Sequence, residues 1–99
     1  MKLMNIVYDG EYENVDIVRV PGWVADDIET ILRDFNEWLS IPTNRQPFSH
    51  KCTDGRMVLS VDTPDFLWWL DNIKIAEEQM TEIVKQHTIF DPNLPTAEF

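Results

Sequence analysis

The chain has 99 residues, 43% of them apolar, and eighteen Asp and Glu against eight Lys and Arg give it a formal charge of −10. One domain is expected, because two cores in so short a chain would each be too small to bury much surface. The charge repels phosphate backbones and anionic lipid surfaces and so argues against direct binding of nucleic acid or membranes, while the lone Cys52 rules out an intrachain disulfide and leaves the cytoplasm as the expected compartment.

Leu3 to Tyr8 and Val15 to Val20 are apolar, β-prone runs separated by the polar stretch 9–14, which predicts a hairpin with a six-residue loop. Pro21-Gly22 breaks the second strand. From Val24 the period changes, and Val24, Ile28, Ile31, Leu32, Phe35, Trp38 and Leu39 fall on one side of an amphipathic helix that Pro42 is expected to end. Asp26, Asp27 and Glu29 crowd its first turns, where the helix dipole favours negative charge.

Asp54-Gly55 suits a tight two-residue turn between Phe48–Thr53 and Arg56–Asp62. With Thr53 opposite Arg56, that register puts Phe48, His50, Cys52, Met57, Leu59 and Val61 on one core-facing side and leaves Lys51 and Arg56 outside. Thr63-Pro64-Asp65 then reads as a helix start, with Thr63 as the cap. The second helix is expected to reach about His87, burying Phe66, Trp69, Leu70, Ile73, Ala76, Met80, Ile83 and Val84. Trp68 and Ile75 point nearly opposite that stripe and Glu77 falls inside it, which makes a break near Asp71-Asn72 the natural alternative.

The expected fold is α+β: a two-layer sandwich in ββαββα order, with a four-stranded, mainly antiparallel sheet and two helices on one face. Residues 1–88 form the domain. The segment 89–99, with two prolines, is expected to be an extended tail, neither helix nor regular strand. Phe90, Leu94 or Phe99 is expected to cover Trp68 and Ile75, within the chain or across a dimer.

No catalytic or metal constellation emerges. His50 and Cys52 share a strand face, but two ligands are too few for a closed zinc site, and His87 is remote in sequence. Only three glycines occur, and no phosphate-binding loop or dinucleotide fingerprint is present. Neighbouring carboxylates such as Asp26 and Asp27, or Glu77 and Glu78, diverge on a helix and read as solvated faces.

The reading is therefore a non-enzymatic, cofactor-free protein that acts by stoichiometric binding to a basic partner, such as a toxin or a nucleic-acid enzyme, in the manner of an immunity protein, an antitoxin or a phage anti-defence factor. Its expected partner-binding residues are Asp9, Glu11, Glu13, Asp26, Asp27, Glu29, Trp68 and Ile75. A narrower form of the idea is mimicry of DNA phosphates, with Asp16, Asp34 and Glu37 added to the acidic set. The alternative is a self-associating accessory subunit, with Trp68, Ile75 and the tail at a homodimer interface.

Overall fold

A computed structural model describes residues 1–8, 10–75 and 81–99. In chain order the elements are β1 (Lys2–Val7), β2 (Val15–Val20), α1 (Gly22–Asp26), α2 (Ile28–Leu39), α3 (Pro42–Arg45), β3 (Ser49–Lys51), β4 (Met57–Leu59), α4 (Thr63–Trp69), β5 (Glu82–Thr88) and β6 (Thr96–Glu98). The fold is mixed α and β, with a four-stranded sheet in the order β5-β2-β1-β6 and a separate ribbon of β3 and β4. The element order runs ββαββα, with α1–α3 in the place of the first helix, but continues into two further strands. The 48–62 hairpin stands outside the main sheet, and two later strands take the places expected for it.

The first hairpin follows from its alternation. β1 and β2 pair antiparallel, with Lys2 opposite Val20 and Ile6 opposite Asp16. Side chains alternate between faces along a strand, so Met4, Ile6, Val18 and Val20 meet Ile31, Phe35, Phe66 and Trp69 in the main core. The first amphipathic run is divided at Asp27, whose φ of −130° and ψ of 44° separate α1 from α2. Its apolar stripe survives the division: Val24, Ile31, Phe35 and Leu39 are all buried. α2 ends at Leu39, ahead of Pro42 as expected, and Pro42 also opens the short α3, a role its fixed φ suits.

The second helix is much shorter than its periodicity suggests. Asp62, not Thr63, caps it, in a reciprocal box where each of Asp62 and Asp65 accepts the other's backbone amide at 3.2 Å. It ends at Trp69 and widens into a π-turn, Leu70–Lys74, closed by the Ile75 amide donating to the Leu70 carbonyl at 2.8 Å. Asn72 donates its side-chain amide to the Trp68 carbonyl at 2.8 Å, occupying the group that a continuous helix would offer to the backbone amide of Asn72. Where the alternative reading placed a break, near Asp71-Asn72, the helix changes from α to π geometry. Ile73 is exposed, Ala76, Glu77 and Met80 lie outside the described residues, and Ile83 and Val84 belong to β5.

The tail is also more structured than its prolines imply. β6 pairs parallel with β1, Ala97 is buried, and the Phe99 amide donates to the Val7 carbonyl at 2.8 Å. Since Met4 and Ile6 face the helices, Asn5 between them faces the other way. Asn5 is fully buried and holds the crossing segment from both ends of its amide: Nδ2 donates to the Asp91 carbonyl at 2.8 Å, and Oδ1 accepts the Asp91 amide at 3.2 Å. The segment between β5 and β6 thus crosses the sheet on the side away from the helices.

Candidate functional site

The 48–62 hairpin differs from its expected register by one residue. Ser49 lies opposite Leu59, His50 opposite Val58 and Lys51 opposite Met57. The cause is the loop, which has three residues rather than two: Cys52 and Arg56 bond across it at 2.8 Å, the Gly55 amide donates to the Cys52 carbonyl at 3.0 Å, and Gly55 takes a φ of 88°. A turn followed by a left-handed glycine is the usual three-residue solution. A slip of one residue moves side chains to the opposite face. Met57 and Leu59 therefore share a side with Ser49 and Lys51, and they are 66% and 44% exposed instead of buried. Cys52 is only half-buried, whereas Phe48 and Val61 at the base of the hairpin still pack against the core. Lys51 and Arg56 do point to solvent.

Between this hairpin, the end of α2 and the start of α4 runs a groove of about 700 Å³. Its aromatic lining is Trp38, Phe48 and Trp68, with the Trp38 ring 6.1 Å from Phe48 and 6.3 Å from Trp68. Trp68 remains 49% exposed. Polar groups enter from His50 and Asp65. Burial, reinforced by the neighbouring Asp62, raises the Asp65 carboxyl above its ordinary pKa.

The tail does not cover Trp68. Phe99 instead enters the core, 5.2 Å from Phe66 and 6.1 Å from Phe35, and stacks on Tyr8. Phe90 packs edge-on against Tyr12 at 4.9 Å, beside the first hairpin loop. Ile75 is half-buried against the core and does not form an exposed pair with Trp68.

The acidic residues divide into two ends. Glu11 and Glu13 are exposed in the loop after β1, while Asp26 pairs with Lys2 at the start of that strand and is followed by exposed Asp27 and Glu29. Six strand residues separate these ends by roughly 20 Å. Asp9 lies outside the described residues. Asp34 is paired with Lys74 and Glu82 with Arg19, so neither stands as a free charge. Among the described residues Glu11, Glu13, Asp27, Glu29 and Glu37 have no ion-pair partner.

Asp16 is likewise engaged. Thr63 Oγ1 donates to its Oδ2 at 2.6 Å and the His87 amide donates to its Oδ1 at 3.2 Å. A hydroxyl has one proton, so the bond between Tyr8 and Thr63 is donated by the Tyr8 phenol. Burial, more than the nearby Asp16, pushes the Tyr8 phenol up to about 12. This chain of bonds joins β1, β2, α4 and β5, and so does structural work where a phosphate mimic was expected.

His50 and Asp65 line the same groove, but Cys52 does not. Among the described residues no group of three or more His, Cys, Asp or Glu is placed to hold a metal ion, and no helix is long and apolar enough to cross a membrane. No family model, curated protein or solved structure matches the chain. Any functional reading rests on its own side chains. Trp38 and Phe48 pack against the core as their apolar stripes imply, but both are only half-buried and also line the groove, a second role that periodicity does not signal.

Proposed function

We propose that the chain is a stoichiometric protein-binding factor, an inhibitor or neutraliser of a basic partner in the manner of an immunity protein, an antitoxin or a phage anti-defence protein, with no catalytic step of its own. The observation that carries this reading is the exposed carboxylate set of Glu11, Glu13, Asp27, Glu29 and Glu37, unpaired among the described residues of a chain with a charge of −10. Such a surface accelerates encounter with a basic protein and repels anionic competitors. Its division between two ends favours a partner broad enough to touch both, or one that engages a single end, over a continuous imitation of a phosphate row.

The test is retention of a host protein by the immobilised chain at low salt. A basic protein should bind in a one-to-one complex, elute as salt rises, and be retained poorly by the combined Asp27→Asn, Glu29→Gln and Glu37→Gln variant. Retention of no protein, or of one that is not basic, contradicts the reading. A self-associating accessory subunit is the second reading, supported by the seven-residue β5 at an edge of the sheet. A dimeric mass in solution without any partner would favour it.

A further inference from the structure

We propose that the groove bordered by Trp38, Phe48 and Trp68 receives an arginine side chain of the partner protein, stacked on the aromatic lining with its guanidinium directed to Asp65. This deepens the preceding reading and rests on it, because it presumes a basic protein as the occupant.

Three observations converge on that chemistry. Trp38, Phe48 and Trp68 border the groove with aromatic surface, and Trp68 is half-exposed. Aromatic faces attract cations through their quadrupole, and tryptophan does so best. The groove lining contains a carboxylate, Asp65, and neither lysine nor arginine. The nearby hairpin cations point elsewhere: Arg56 is bound to Asp54 at 2.7 Å, and Lys51 is exposed outside the groove.

Asp62 and Asp65 face each other across the capping box with no basic side chain paired to either among the described residues. Partial burial and the mutual approach of these carboxyls disfavour the charged form of Asp65, and an arriving cation reverses that penalty. Guanidinium meets the combined requirement better than ammonium, since its plane stacks on a ring while its edge donates two parallel hydrogen bonds to a carboxylate. The groove's volume of about 700 Å³ accommodates the side chain together with adjoining backbone of an extended segment.

The experiment has two arms. In the first, blocked arginine (N-acetyl-arginine amide) is titrated into the labelled protein and the indole N–H signals are followed by NMR, with blocked citrulline as a neutral probe of the same shape. Saturable shifts are expected at Trp38 and Trp68 and not at Trp23, which is 50% exposed and does not line the groove. Citrulline should bind about tenfold more weakly, and Trp68→Ala should weaken arginine binding about threefold to tenfold, as loss of one cation–π contact does. Shifts of equal size at Trp23, equal binding of citrulline, or undiminished binding by Trp68→Ala would overturn the assignment. Since Trp68 is half-exposed, its replacement is not expected to unfold the protein, and Asp65→Asn provides a second variant that retains the helix-capping geometry.

In the second arm the Trp68→Ala protein replaces the native chain in partner retention. If the native chain retains a basic protein and the variant loses it, the groove is the docking point. If both retain it equally, the groove assignment fails while the basic-partner reading stands. If the native chain retains no basic protein, that reading fails and takes this one with it.

Discussion

Two polar side chains that look incidental in the sequence hold the sheet together. Asn5 interrupts the apolar run of β1, yet it is fully buried and bonded to both backbone groups of Asp91. Asn5→Ala would strand those groups away from water, at about 1–3 kcal/mol for each left unsatisfied. Chemical denaturation should show that loss, and limited proteolysis should cut first beyond Thr88. Tyr8 makes a second residue-scale case. Its folded-state pKa of about 12 lies above the ordinary 10.0, so the unfolded chain releases the phenol proton first. The stability Tyr8 contributes is full below pH 10 and declines as pH rises toward 12. Stability measured across that range should fall in the native protein and fall less in Tyr8→Phe; identical slopes would show that the phenol is not the group responsible. Neither role was legible beforehand, because each depends on a partner more than fifty residues away in the chain.

At the scale of elements, legibility followed local signal strength. The first hairpin and the apolar face of α2 were readable because strict alternation and a 3.6-residue stripe each bury one side. The second hairpin was found but slipped, since Asp-Gly serves a two-residue loop and, with one residue more, a loop that ends in a left-handed glycine. Leu59→Ala should therefore lower stability by less than about 1 kcal/mol, as at other exposed sites, whereas Phe35→Ala should lower it by about 3–5 kcal/mol. A large loss at Leu59 would restore the two-residue register. The long second helix failed for a different reason: Ile83 and Val84 continue its stripe by coincidence, while their β-branched neighbourhood forms an edge strand that needs little apolar alternation. Truncation after Thr88 removes β6, Phe99 and the partners of Asn5 together. It should lower the melting temperature by about 15 °C or more, given the loss of a packed phenylalanine. The accompanying change in tryptophan emission should persist in Trp68→Phe, because the tail packs on Phe35 and Phe66 rather than on Trp68.

For the whole molecule, charge and groove were legible to different degrees. The excess of carboxylates is plain in composition, but which of them are free is not: the fold engages Asp16, Asp26 and Asp34 and leaves Asp27, Glu29 and Glu37 unpaired among the described residues. Asp27 makes no side-chain capping bond, so its replacement tests charge with little disturbance of α2. The most direct measurement is the rate of association with the isolated basic partner, followed by stopped flow as ionic strength is raised from low salt to beyond physiological. The native chain should associate progressively more slowly, as screening of exposed charges requires, and the combined Asp27→Asn, Glu29→Gln and Glu37→Gln variant should associate about tenfold more slowly at low salt with a nearly unchanged dissociation rate. An association rate indifferent both to salt and to these three substitutions would contradict the claim that the acidic surface brings the partner in.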